Sequence, residues 1–195
     1  MDYDENRRLL RELYDLRAAQ PWRAPTSEAY LVVRAGDVLD VDEHNEMLRD
    51  YLAAVRAADR PKRDNARVLL IGCFCEQPPL GLLRTLERAG CYVVDDELVL
   101  GKRFLLRDVG TDGDPIEALA DALIRDGVPS ASRWIGVEHK GDALVQLTRR
   151  RKAEGVLFGA PSFCDPALLD QPMLEAALDR AGVPHTGFKY AENLG

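Results

Sequence analysis

The chain has 195 residues, of which 46% are hydrophobic and 30% charged, a composition typical of one globular domain with room for an appendage. The formal net charge of -7 excludes a general binder of nucleic-acid backbones, which needs a positive surface. No apolar stretch is long enough to cross a bilayer, and the acidic start Met1–Asn6 is unlike a signal peptide, so we expect a cytoplasmic protein that contacts no membrane.

The first sixty residues carry helical patterns. Apolar residues recur at helical spacing over Asp4–Ala19 and over about Asp42–Ala58, which predicts two amphipathic helices. The segment between them, Ala29–Val33, fits either a strand or a buried helix. We therefore divide the chain into a helical arm or linker region over residues 1–60 and an α/β domain over residues 61–195.

Beyond this region, short apolar strands alternate with helices. We predict strands at Val68–Ile71, Cys91–Val94, Val156–Ala160 and Thr186–Lys189. Helices are predicted at Leu80–Ala89, from Asp114 to about Gly127, at Gly141–Lys152 and at Pro172–Ala181. In the helix that Asp114 caps, Leu119, Leu123 and Ile124 are expected to face the core. The alternation predicts a parallel sheet of about four strands with helices on both faces, preceded by the helical arm.

Three of the four cysteines follow strand ends. Cys73 and Cys75 lie in the loop after the first strand, and Cys164 lies in a loop between Pro161 and Pro166. Ligands of an open parallel sheet bind outside the carboxyl ends of its strands, so the three thiols face one crevice if the two strands are neighbours. In a reducing compartment such thiols indicate metal binding, thiol chemistry or burial before they indicate disulfides.

Other candidates carry weaker signals. The pair Cys73-x-Cys75 lacks the two to four intervening residues usual in zinc sites, and Cys91, at the start of a strand, is interpreted as a core residue. Asp95-Asp96 fit either a functional carboxylate pair or a helix cap. The histidines have no ligand-like spacing: His44, His139 and His185. Fingerprints for dinucleotides and nucleoside triphosphates are absent from the sequence.

Several segments together resemble the 2-hydroxyacyl-CoA dehydratase and benzoyl-CoA reductase family: Gly72–Pro79, Asp95-Asp96, Ser162–Pro172 and Phe188–Asn193. The resemblance is closest to the B and C subunits of ATP-dependent benzoyl-CoA reductases and covers nearly the whole chain. It implies a flavodoxin-like fold and a [4Fe-4S] cluster held by cysteines from two homologous domains. Cys164, in the Phe-Cys-Asp-Pro segment, matches the family's ligand in the second domain. Cys75 and Cys73 are further candidate cluster-binding residues.

The same resemblance implies a function. We expect part of a catalytic oxidoreductase subunit, which works with a homologous catalytic subunit and receives single electrons from ATP-hydrolysing activating subunits. The expected substrate is an aromatic acyl-CoA, and Phe74, Phe163 and the loop prolines are expected to keep the cluster dry. Family members are about twice this length, so we expect a carboxyl-terminal portion that needs cluster ligands from outside the chain and is inactive alone.

Two alternatives remain at this point. A 2-hydroxyacyl-CoA dehydratase subunit would hold the same cluster but act on a 2-hydroxy acyl-CoA. A cluster-free α/β binding or assembly module would bury its cysteines without a metal. The Cys73-x-Cys75 loop and the following Gln77-Pro78-Pro79 favour the reductase.

Overall fold

A computed structural model describes residues 2–72, 77–98, 107–127 and 139–191. Three helices come first: α1 Asp2–Ala19, α2 Thr26–Ala35 and α3 Val41–Ala57. Strands and helices then alternate: β1 Ala66–Ile71, α4 Leu80–Arg88, β2 Cys91–Asp96, α5 Pro115–Asp126, α6 Lys140–Arg151, β3 Gly155–Pro161, α7 Asp165–Ala181 and β4 His185–Tyr190. Within the described part of the chain, no helix is both long and apolar enough to cross a membrane.

The four strands form one parallel sheet in the order β2-β1-β3-β4. In β1, Leu70 pairs with Asp96 of β2 on one side and with Leu157 of β3 on the other. The β1–β2 ladder contains a bulge, since Val68 pairs with Val93 but Leu69 pairs with Asp95. The predicted parallel α/β sheet is confirmed, and its first and third strands are neighbours.

Alternate residues of the strands face two separate cores, which is the expected pattern for a sheet covered on both faces. Val68 and Leu70 of β1 belong to one core with α1, α2, α3 and α4. Leu69 and Ile71 belong to a second core with α6 and α7. Helices therefore cover both faces, as predicted, and the amino-terminal helices share the first core with the sheet.

The segment whose sequence allowed a strand or a helix belongs to α2. Ala29, Tyr30 and Val33 are buried at helical spacing, with exposures of 0%, 4% and 3%. The hydroxyl of Tyr30 also donates to the carbonyl of Pro78, 3.1 Å away, just before α4. Burial along one helical face therefore shows that this segment is a helix, a choice that the apolar run alone left open.

Helix α7 begins at Asp165, so the predicted start at Pro172 is wrong. Proline favours the first turn of a helix, and Pro166 lies in that turn, two residues after Cys164 at the N-cap position. Pro172 lies inside the helix, where it lacks the N–H that would donate to the carbonyl four residues earlier. The helix that follows β3 therefore starts immediately at the candidate cysteine.

Helix α5 is capped as predicted but does not face the core as predicted. The carboxylate of Asp114 accepts hydrogen bonds from the backbone N–H groups of Ile116 and Glu117, at 2.8 and 3.1 Å. Its buried apolar residue among the described side chains is the small Ala122, at 7% exposure. The residues expected in the core are 52%, 47% and 74% exposed: Leu119, Leu123 and Ile124.

Candidate functional site

The two loops that carry the candidate cysteines start side by side. Gly72, which follows β1, lies so close to β3 that a Cβ there would be 3.5 Å from the carbonyl oxygen of Gly159. Its φ of +95° is a conformation that side chains rarely adopt, so glycine is required at this turn. Cys73, Phe74 and Cys75 come next in the chain and lie outside the described residues. The sheet order thus places Gly72 and the end of β3 side by side at the carboxyl edge.

Cys164 occupies the turn between β3 and α7 and is 0% exposed. Its backbone N–H donates to the carbonyl of Pro161, 3.0 Å away, and the residue forms the amino-terminal cap position of α7. Small and aliphatic side chains surround the thiol: Ala160, Ala167 and Leu168. The structure therefore places the predicted ligand at the end of an interior strand, in an apolar shell within this chain.

A contact that the sequence does not indicate holds this turn. Ser162 donates from its backbone N–H and from its hydroxyl to the carbonyl oxygen of Tyr190, at 2.8 and 3.0 Å. The end of β4 thus fixes the turn that presents Cys164. Because the partner is a backbone carbonyl 28 residues away, no local motif in the sequence predicts this contact.

The side chain of Phe163, which is expected to help keep the cluster dry, is 92% exposed in the described part of this chain. The smaller neighbours of Cys164 exclude water instead, since Ala160 and Ala167 are buried at 2% and 7% exposure. The expected role of Phe163 in keeping the cluster dry stays a prediction.

The adjacent carboxylates at the end of β2 are buried in ion pairs. Asp96 accepts from the hydroxyl of Tyr14 and from the guanidinium of Arg17, both at 2.8 Å. Asp95 accepts from Nε of Arg151 at 2.6 Å. Within the described residues neither carboxylate caps a helix, and both instead anchor the sheet to neighbouring helices. Their geometry indicates a structural role.

Burial and charge shift the pKa values of the two side chains that bond to Asp96. Burial, followed by the negative charge of Asp96, raises the pKa of the Tyr14 hydroxyl well above its ordinary value. Burial acts to lower the pKa of the Arg17 guanidinium, but the charge of Asp96 outweighs it and the net direction is upward. Tyr14 therefore stays a neutral donor and Arg17 stays charged at any working pH.

The histidines serve local structure, as the lack of ligand spacing suggested. His44 is buried and bonds the carbonyl of Val32 at 2.9 Å, and His139 accepts from the N–H of Gly141 at 3.2 Å to cap α6. His185 lies 3.2 Å from the carbonyl of Val183. Among the residues that the structure describes, no three His, Cys, Asp or Glu side chains cluster as a metal site would require.

Cys91 is only half-buried and packs against the first core, which corrects its interpretation as a core residue. It opens β2 and packs at the border of the first core, where burial raises the pKa of its thiol. It lies at the opposite end of its strand from the carboxyl edge, so it takes no part in the candidate site.

The donor chemistry at Cys164 fits an iron–sulfur cluster in part. Such clusters are held by cysteine thiolates, and burial around the sulfur atoms tunes their reduction potential. A dry thiol at the carboxyl edge of the sheet matches that requirement. One described thiol is not a complete ligand set, so a cluster at this position would need further ligands, from Cys73 and Cys75 or from outside the chain.

Fold and site together define an α/β domain with a parallel sheet and a buried thiol at its carboxyl edge. A family model described as 2-hydroxyglutaryl-CoA dehydratase, D-component, matches residues 2–192. The chain therefore belongs to this family, which includes the 2-hydroxyacyl-CoA dehydratases and a subunit of benzoyl-CoA reductase.

Individual relatives differ clearly in their similarity to this chain. It is 48% identical, over 99% of its length, to a C-type subunit of benzoyl-CoA reductase from Thauera aromatica. It is 24% identical over 94% of its length to the (R)-phenyllactyl-CoA dehydratase beta subunit of Clostridium sporogenes, and 28% identical to the (R)-2-hydroxyglutaryl-CoA dehydratase beta subunit of Acidaminococcus fermentans, also over 94%. The match covers 50%, 48% and 48% of these relatives, so the chain spans about half of their length.

Proposed function

We propose that the chain is part of a catalytic subunit of a benzoyl-CoA reductase and holds part of a [4Fe-4S] cluster site through Cys164. The observation that carries the proposal is the difference in identity, 48% to the reductase subunit against 24–28% to the dehydratase subunits. The buried thiol at the carboxyl edge supports it, because the family resemblance assigns a cluster ligand to that position.

Residues of this chain hold Cys164 in position as the proposed ligand. The β3 strand and the cap of α7 fix the backbone of Cys164, and Ser162 fastens the turn to the end of β4. The apolar shell excludes water from the sulfur atom. The cluster would supply one-electron transfer at low potential, which burial and thiolate ligation favour. Cys73 and Cys75 are the further ligands proposed from this chain.

The proposed partners follow from the same resemblance. Binding of the aromatic acyl-CoA requires a second, homologous catalytic subunit, and ATP-hydrolysing subunits deliver the electrons. The half of the relatives that this chain does not match supplies further cluster ligands. We therefore propose that the isolated chain is inactive.

The test uses a full-length chimera, in which this chain replaces the matched half of the Thauera aromatica subunit. Assembled with the other subunits of that reductase, the chimera is expected to restore ATP-dependent reduction of benzoyl-CoA. Cys164→Ser is expected to abolish the activity, and Cys91→Ser, a thiol away from the edge, to preserve it. Activity that survives Cys164→Ser contradicts the proposed ligand. Dehydration of phenyllactyl-CoA without reduction of benzoyl-CoA would assign the chain to the dehydratases.

A further inference from the structure

A small cavity lies where α1, α2 and the end of β2 meet. Its volume is about 10 Å³, and the residues that line it include four with polar side chains: Tyr14, Arg17, Thr26 and Asp96. Each of these four residues is at most 7% exposed. The cavity therefore belongs to the interior of the fold, beside the buried ion pair of Arg17 and Asp96.

Arg17 brings to this cavity a hydrogen-bond donor that the protein itself does not satisfy. Its Nη1 donates to Asp96 at 2.8 Å, and its Nη2 donates to the carbonyl of Val93 at 3.0 Å. Its Nε is buried and makes no hydrogen bond to any residue that the structure describes. A buried donor without an acceptor destabilises a fold, so protein interiors satisfy nearly all such groups with protein atoms or with water. Since both terminal nitrogens are already bonded, the cavity is the place where an acceptor for Nε fits.

Size and charge limit what the cavity can hold. A volume of about 10 Å³ is the room that one water molecule needs, and it is too small for a larger molecule. The guanidinium of Arg17 and the carboxylate of Asp96 already neutralise each other, so an ion would be buried there without a counter-charge. A buried water needs about two to four polar partners, and the cavity offers the Nε of Arg17 and the hydroxyl of Thr26.

We propose that this cavity binds one structural water molecule, which accepts a hydrogen bond from Nε of Arg17 and bonds to the hydroxyl of Thr26. Because Arg17 belongs to α1 and Thr26 begins α2, the water links these two helices beside the carboxylate at the end of β2. A bridging water is nearly as favourable as a direct hydrogen bond, so it completes the buried network. The inference does not depend on the proposed function, since neither Cys164 nor a cluster enters it.

A crystal structure of the chain tests the site directly. We expect electron density for one water within about 3.2 Å of both the Nε of Arg17 and the Oγ1 of Thr26. Thr26→Val keeps the shape of the side chain but removes the hydroxyl, so the density is expected to weaken or disappear in this variant. A wild-type cavity without density, or unchanged density in Thr26→Val, overturns the proposal.

In solution, NMR locates the water without any substitution. The cross-peak between the Nε proton of Arg17 and water is measured in NOESY and ROESY spectra of the wild-type chain. A bound water gives cross-peaks of opposite sign in the two spectra, whereas exchange of the proton with bulk water gives the same sign in both. We expect opposite signs at Arg17 and no such pair at Arg151, whose Nε donates directly to Asp95 at 2.6 Å. Equal signs, or no cross-peak, at Arg17 contradict a bound water.

Thermal unfolding separates a hydrated cavity from a dry one by the sign of the effect. With the water bound, Thr26→Val removes one of its partners and is expected to lower Tm by about 2–6 °C. Thr186→Val, at an exposed position of β4, is the control and is expected to change Tm by less than about 2 °C. In a dry cavity, valine would replace a buried hydroxyl without loss of a hydrogen bond. An unchanged or higher Tm in Thr26→Val therefore overturns the proposal.

Discussion

At the residue scale, the buried carboxylate at the end of β2 and the buried thiol after β3 have different roles. Asp96, Tyr14 and Arg17 form a buried network of hydrogen bonds and an ion pair that joins α1 to the end of β2. Cys164 is buried among small and aliphatic side chains instead. The Asp96 carboxylate therefore stabilises the fold, whereas the Cys164 thiol is the candidate for a chemical role.

Asp96→Asn tests the structural role of the buried network. The change leaves Arg17 buried at 2% exposure without its counter-charge, which in proteins costs about 3–5 kcal/mol. Urea denaturation followed by circular dichroism measures the loss in free energy of unfolding. Glu5→Gln is the control, because it removes an exposed pair with Arg49 and is expected to leave the midpoint nearly unchanged. Equal effects of both variants would contradict this assignment.

Alkylation distinguishes the two described thiols. Cys164, at 0% exposure, is expected to react with iodoacetamide only after unfolding, and half-buried Cys91 to react slowly in the native state. Since burial raises the pKa of Cys91, its alkylation should accelerate only above the ordinary thiol pKa. The contribution of the Cys91 thiol to the free energy of unfolding is fully present below the ordinary thiol pKa. It is lost as the pH rises above that value and through the raised pKa. Rapid native labelling of Cys164, read by mass spectrometry of its peptide, would contradict the burial.

At the element scale, local patterns predicted most of the fold. Apolar runs and Gly-Pro punctuation placed all four strands, and the Asp114-Pro115 cap placed α5. Patterns failed where a contact lies far along the chain, or where the described residues leave an apolar face exposed. The apolar residues of α5 suggested a core face that this chain does not bury. Pro172 suggested a helix start because the sequence did not show that Pro166 already occupied the first turn.

The contact between α6 and α7 gives a sharp element-scale prediction. A Cβ at Gly141 would lie 2.5 Å from that of Ala177, so Gly141→Ala forces the helices apart at a cost of about 1–3 kcal/mol. Gly81→Ala in α4 is the matched control, because nothing lies within 4 Å and the change should stabilise by about 0.5–1 kcal/mol. Thermal unfolding of both variants checks that Tm falls in Gly141→Ala and rises in Gly81→Ala. A Tm increase in Gly141→Ala would show that the packing is looser than described.

At the scale of the whole molecule, the amino-terminal helices and the sheet form one unit in energetic terms. Leu9 and Leu13 of α1 lie in the same core as Val68 and Leu70 of β1. The buried Arg17–Asp96 pair crosses the same boundary. Helices α1 to α3 should therefore not unfold before the sheet.

Equilibrium unfolding tests this coupling. Trp22 follows α1 and lies under the ammonium of Lys62, 5.3 Å from its ring centroid, so its fluorescence reports on the helical region. In a Trp134→Phe background, the urea transitions from Trp22 fluorescence and from far-UV circular dichroism are expected to coincide. Two separated transitions would instead make residues 1–60 an independent unit.

The sequence also suggested the cysteine site before the sheet order was known. Spacing alone did not show that β1 and β3 are neighbours, which depends on long-range pairing between Val68 and Gly155. That pairing places the Gly72 turn beside the strand that leads to Cys164. The further ligands of the proposed cluster could not be predicted from this chain, since the matched relatives are about twice as long.

The most direct measurement is anaerobic iron–sulfide reconstitution of the isolated chain and the full-length chimera, followed by iron analysis, absorbance and EPR. We expect the isolated chain to stay colourless, and the chimera to bind about four irons. The chimera should lose them on Cys164→Ser but retain them on Cys91→Ser. A chimera that keeps its full iron content and EPR signal after Cys164→Ser would contradict the central claim. Uptake of about four irons by the isolated chain would show that no outside ligand is needed.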